Sequence, residues 1–195
     1  WASDLLGPAL VADPAGWFAA WGQTILYDQP RQVLAARLDS LGVRVDPAGI
    51  LVGEADALRG RPDVATSGDQ HLVVWAGETI ADNRVDVYAA RVSVNGTVLD
   101  SQPLRITNDA AGDTHPRVVF DGVFYRVAWL RSSAGGPAEC WWATVSPAGF
   151  VAEPPVLAAA GVVTPPALAR TTGTALLAGL SWVHPDWQVP RAAMR

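Results

Sequence analysis

The side chains able to grip or react with a ligand gather in the least repetitive segments of this 195-residue chain: Asp28, Glu78, Asp82, Asn83, Arg84, Asp109, Asp113, His115 and Trp187. Carboxylates offer acid–base chemistry. Glycoside hydrolysis needs two of them, one to protonate the leaving oxygen and one to activate water or attack the sugar, and Asp82 with Asp113 could supply the pair. Any set of loops this rich in aspartate would offer such a pair, so it has little specificity. Other chemistries are easier to exclude. All fourteen basic residues are arginine, which removes Schiff-base and phosphate-loop lysines. Cys140, the one cysteine, permits no internal disulfide, and beside Trp141 and Trp142 it reads as a small buried residue. His71, His115 and His184 are too far apart for a metal motif, and His71, next to a turn, reads as exposed. No serine or cysteine stands in a nucleophile motif. No metal and no cofactor is expected.

The formal charge of −5 argues against a nucleic-acid partner, which would require a clustered basic surface. Half the residues are apolar and 17% charged, so the chain can bury a core. No apolar run approaches the roughly 18 residues of a membrane span. A start at Trp1, with neither methionine nor signal peptide, is expected of a processed chain or a segment of something longer.

What must hold these residues in place is a repeat. Pro8, Pro62 and Pro116 each precede a tryptophan (Trp21, Trp75, Trp129) by thirteen residues, and a fourth copy begins at Pro166 without the tryptophan. The proline spacings are 54, 54 and 50. Between these motifs run RLDSLGVRVD, RVSVNGTVLD and TVSPAGFVAE. Alternating apolar residues around Asn95-Gly96 and Asp121-Gly122 predict antiparallel hairpins with two-residue turns. That register sets Arg91 directly opposite Asp100 and Arg37 opposite Asp46, and in the third copy Thr144 opposite Glu153. Two hairpins per repeat give four strands, the content of one propeller blade. The fold class is therefore all-β: a β-propeller of four-stranded antiparallel blades, with three complete blades near 7–52, 61–106 and 115–157. A partial fourth spans 165–195, and residues 1–195 form one such domain or a segment of a larger one. Four copies count against a β-trefoil, and an immunoglobulin-like sandwich gives no reason for the period. The tryptophans are expected to pack between blades.

The pattern P-x-V-x-x-D-G-x-x-Y-x-V-x-W followed by D-V-Y-x-A-R-V-S-x-N-G-x-V-L-D, carried best by Pro116–Trp129 and Asp86–Asp100, resembles repeats of large secreted bacterial propeller proteins. More distantly it is similar to TolB-type and WD40-like repeats. The resemblance covers nearly the whole chain and implies fold, export and a secreted or cell-surface location, and no particular activity. In a propeller, the blade-joining loops and those between second and third strands open on one face, where the nine residues above fall. Two readings follow. The first is an extracellular, non-enzymatic binding or adhesion module holding a protein, glycan or cell-surface partner on that face, with remaining blades supplied by the same or another chain. The alternative is a carbohydrate-active hydrolase or lyase with a carboxylate pair in the central funnel.

Overall fold

A computed structural model describes residues 6–24, 30–79, 84–132, 136–162, 164–171 and 174–178, and every element within them is a strand or a turn. The first sheet joins β1 (Leu6–Asp13), β2 (Gly16–Gln23), β3 (Arg31–Asp39) and β4 (Ile50–Ala55) in that order. The second contains β5 (Ala57–Leu58) and β6 (Asp63–Thr66), which share one edge of β7 (Gln70–Thr79), then β8 (Arg84–Ser93) and β9 (Leu104–Arg105). In the third, β10 (Gly112–Phe120), β11 (Tyr125–Ser132), β12 (Glu139–Val145) and β13 (Val151–Ala160) again run in sequence order. A last pair is β14 (Ala167–Thr171) with β15 (Thr174–Ala178). All pairings are antiparallel. The first strands β1, β6, β10 and β14 pack side by side, which arranges the sheets as blades about one axis.

The alternation of side chains along a strand builds the seams between blades. From β7, Val73 and Trp75 point toward the first sheet and join Phe18, Ala20, Val33 and Val52. Its intervening residues Leu72 and Val74 point the other way, toward Val118, Tyr125, Val127 and Trp129. With both faces covered, the strand reads LVVWA after His71, a continuous apolar run. Each fully buried aliphatic or aromatic side chain contributes about 1.5–3 kcal/mol of transfer free energy. Trp75 fills its seam so closely that a Cβ on Gly53, in β4 of the neighbouring blade, would fall 2.5 Å from the indole. Trp129 is likewise fully buried, whereas Trp21 is only half-buried.

The repeated prolines stand where the first strands break. The β1–β2 register shifts between Leu6 and Ala9, the β10–β11 register shifts between Thr114 and Arg117, and Pro62 lies between β5 and β6. A residue without an N–H is tolerated at such bulges because no ladder bond is asked of it.

The hairpins differ from the two-residue expectation. Gly96 donates to the Ser93 carbonyl, Ser93 donates to Thr97, and Val92 bridges Val98. The turn therefore holds three residues, with Gly96 at φ 84° closing it. Arg91 consequently faces Leu99, whose N–H it accepts, and Asp100 reaches it from one position further on. The ion pair still forms. Arg91 Nη2 is 2.6 Å from Asp100, and the same carboxylate accepts the Arg91 backbone N–H at 2.7 Å. Arg37 and Asp46 repeat this at 2.6 Å. Each arginine also braces the following blade: a Cβ on Gly96 would sit 3.0 Å from Arg37, and one on Gly149 would sit 2.6 Å from Arg91. Arg91 further donates to the Pro147 carbonyl at 3.0 Å. In the third copy Thr144 does face Glu153, and Arg126 from β11 reaches both side chains. The Asp121-Gly122 turn is also longer than expected. Phe120 pairs with Tyr125, leaving four residues in the loop, and Asp121 accepts the N–H groups of Val123 and Phe124.

Candidate functional site

The end of the axis where β6 and β10 begin is also the end where β7 leads toward β8, so blade-joining and mid-blade loops share it. Of the nine residues expected there, Asp28, Asp82, Asn83 and Trp187 lie outside the described residues. Arg84 is exposed at the start of β8. Glu78 is held by Arg59, 2.5 Å from its Nη2. Asp109 accepts the Ala111 N–H at 2.9 Å and pairs with Arg131.

Asp113 departs furthest from expectation. It lies in β10 rather than in a loop and is fully buried. Its carboxylate accepts Arg131 Nε at 2.8 Å, Arg131 Nη2 at 2.9 Å and the Trp129 indole N–H at 2.9 Å. Burial pushes its carboxyl upward against the pull of Arg131. The arginine itself lies over Trp141, 4.3 Å from the ring centroid. With its oxygens committed inside the blade, Asp113 braces a strand and cannot serve as one of two catalytic carboxylates. His71 also corrects its expectation. It is wholly buried, stacked on Phe18 at 4.0 Å between the first two blades. Its Nε2 lies 3.1 Å from Asp13 Oδ2 without forming a well-directed hydrogen bond, and burial lowers its basicity. Cys140 is buried, and burial alone raises its thiol to about 11, which leaves it inert.

A different group lies where the first strands of blades two and three adjoin. Asp63 opens β6, and its Oδ2 accepts the Val118 N–H of the next blade at 3.0 Å. It pairs with Val74, four residues below the rim position Glu78, which sets it about 13 Å inside the mouth. Burial raises its carboxyl, opposed by Val118 N–H, Arg117, Val64 N–H and Arg61. Arg117 is half-buried and its guanidinium is depressed by burial and by Arg61, with Asp63 opposing. His115, at the β10 bulge, has φ 54°, a left-handed conformation uncommon for a residue with a side chain. Its imidazole is lowered by burial and by Arg117.

The repeat itself shows that the fold does not require these side chains. Ahead of the four aligned prolines stand Gly7, Arg61, His115 and Pro165; after them stand Ala9, Asp63, Arg117 and Ala167. Blades one and four build their first strands with small or apolar residues here. Only blades two and three, adjacent to each other, carry Arg, Asp, His and Arg. That contrast was available in the alignment of the copies, and looking only at long loops missed it. Among the described residues no group of three or more His, Cys, Asp and Glu could hold a metal ion.

No family model and no curated protein matches the sequence. Solved structures do match by shape. An α-L-arabinofuranosidase from Lactobacillus brevis aligns with 94% of this chain and 67% of its own, at TM-score 0.59 and 14% identity. An endo-arabinase from Bacteroides thetaiotaomicron VPI-5482 aligns over 93% and 72%, at TM-score 0.61 and 10% identity. A family-43 β-xylosidase/α-arabinofuranosidase from a compost microbial metagenome, solved with xylotriose, aligns over 89% and 69%, at TM-score 0.57 and 13% identity. The chain is a β-propeller. Its shape neighbours are glycoside hydrolases, not the TolB-type or WD40-like repeat proteins that the motif resembles. The expectation of a non-enzymatic binding or adhesion module is corrected by the same finding: it leaned on repeat sequence, and the proteins that share this three-dimensional arrangement cleave glycans according to their names.

Proposed function

We propose that this propeller is the body of a carbohydrate-active hydrolase, with Asp63 as its proton-donating carboxyl. One observation carries the reading: a carboxyl group set between the first strands of blades two and three, whose protonated form burial favours, at a position where two other blades of the same repeat use alanine. A glycosidic oxygen is a poor leaving group until protonated, and a carboxyl kept neutral toward higher pH is suited to supply that proton. Arg61 and Arg117 beside it limit the upward shift and supply positive charge toward substrate oxygens. The shared fold with arabinan- and xylan-directed enzymes, as their names describe them, supports a glycan as substrate.

The chemistry requires a second carboxylate, about 5–5.5 Å from the first for retention of configuration or about 6.5–9.5 Å for inversion. Glu78, Asp86, Asp109 and Asp113 are each engaged by an arginine. The remaining acidic residues of the chain outside the described set are Asp4, Asp28, Asp82 and Asp186. The test is hydrolysis of an arabinan, xylan and galactan panel by the 195-residue chain, with alanine variants of those four and with Asp63→Asn. Loss of a general acid is expected to lower kcat by about 10²–10⁴-fold. An Asp63→Asn enzyme as active as the parent, or a chain that cleaves nothing in the panel, would overturn the proposal.

A further inference from the structure

Blade one carries an apolar face that the other blades bury. Directly opposed residues of antiparallel strands share a face, so the pairs Leu10–Ala19, Trp17–Leu38 and Trp21–Leu34 set six apolar side chains on one side of the first sheet. Phe18, Ala20 and Val33, on the other side, pack against blade two. A sheet face turned to water ordinarily carries polar residues; this one does not.

The repeat shows what such a face is for. At the 54-residue period Leu10 aligns with Val64 and Val118, and Trp17 with His71 and Tyr125. Leu10 is 57% exposed, against 6% for both of its counterparts. Trp17 is 41% exposed, against 0% for both of its own. Trp21 is half-buried where Trp75 and Trp129 are closed over. In each covered case the cover is the preceding blade. Val64, Val73 and Trp75 share a core with Phe18 and Val33 of blade one, and His71 stacks on the same Phe18. Val118, Tyr125 and Trp129 share a core with Leu72 and Val74 of blade two.

Two further features have the same asymmetry. The turn glycines Gly96 and Gly149 each lie against an arginine of the preceding blade, Arg37 and Arg91. A Cβ on Gly42, their counterpart in blade one, would meet nothing within 4 Å. Among the described first strands β1 packs on β6, β6 on β10 and β10 on β14, whereas β14 does not pack on β1 to a like extent.

We propose that this face is a blade seam, and that its occupant is one more four-stranded blade of the same repeat type. That blade stands ahead of blade one around the axis and brings an arginine, near the end of its third strand, against Gly42. A contiguous apolar patch marks an interaction surface, and here the molecule contains two worked examples of its partner. Both seams join unlike faces of neighbouring sheets, which favours a further blade over a second copy presenting this same face. The inference concerns the ring and is independent of the hydrolase reading.

The test is maleimide labelling of a cysteine placed on the face. Cys140 is buried and its thiol lies at about 11, so it does not compete. In the 195-residue chain Leu10→Cys should react at a rate similar to that of Val123→Cys, a substitution at a 63% exposed turn residue. In a chain with residues 61–114 repeated directly ahead of Gly7, which keeps the period, Leu10→Cys should react about tenfold or more slowly while Val123→Cys is unchanged. Trp17→Gln gives a second readout. Its melting temperature should stay near the parent value in the 195-residue chain and fall clearly in the extended one, because only there is the side chain covered. Equal labelling of Leu10→Cys with and without the added blade would overturn the proposal. So would slow labelling in the 195-residue chain that quickens on dilution, which makes a second copy the occupant. Protection by arabinan or xylan oligosaccharides would overturn it in favour of a glycan platform.

Discussion

Replacing Asp113 by alanine should unfold this protein far more readily than a loop substitution would. The carboxylate is wholly buried and accepts two bonds from Arg131 and one from Trp129. Removing it strands the guanidinium of Arg131, a residue only 9% exposed, and an indole N–H in the seam between blades. The surviving ion pair of Arg131 with Asp109 compensates in part. Breaking a buried pair from one side costs about 3–5 kcal/mol, mostly the penalty of the unpaired partner. For a chain of this length each kcal/mol moves the melting temperature by about 2–4 °C, so a fall of roughly 6–20 °C is expected. Urea denaturation gives the free energy directly, and calorimetry the temperature. Asp113→Asn, which retains an acceptor for Trp129, should cost less. The double variant Asp113→Leu/Arg131→Met should recover much of the loss, because an apolar pair removes both charges together. A single alanine variant within about 0.5 kcal/mol of the parent, the range of exposed loop changes, would refute the buried-brace account.

Two further outcomes follow from the seams. Gly53→Ala places a methyl group 2.5 Å from the buried Trp75 indole, and overpacking of this kind should cost about 1–3 kcal/mol by denaturant titration; a neutral result would mean that Trp75 does not fill the seam as described. His71 has a folded pKa below its ordinary value of 6.5 because burial outweighs the attraction of Asp13. The unfolded chain therefore takes up a proton that the folded chain resists, so its contribution to stability is present above that value and is lost as pH falls through it, by up to about 1.4 kcal/mol per pH unit. His71→Leu should flatten the fall in melting temperature between neutral and mildly acidic pH, and an unchanged slope would remove His71 as the cause.

Much of the architecture was legible in the chain because a repeat makes its own requirements visible. Proline, tryptophan and the Arg–Asp hairpin recur at fixed spacing, and alternation along each strand can be satisfied by stacking one sheet on the next. Register was less legible. A glycine closing a turn looks the same after two residues or three, and only the backbone bonds of Ser93, Gly96 and Thr97 decide between them. The Arg–Asp pairs survive that shift because long side chains tolerate a displacement of one residue. Burial was the least legible property of all. Asp113 and His71 are polar residues near loops and turns, and a sequence gives no sign that Arg131 and Trp129, or Phe18 from another blade, will close over them. What only the tertiary structure decided is which charged residues lie between the first strands of neighbouring blades and which turn into their own sheet. Asp63 and Val118 are 55 positions apart and are hydrogen-bonded because the first strands of neighbouring blades lie side by side, while Asp113, five residues before Val118, turns into its own sheet. Regular alternation would put residues four apart on one face, and the bulge between Thr114 and Arg117 breaks that alternation, so nearness in sequence does not determine which way a side chain points.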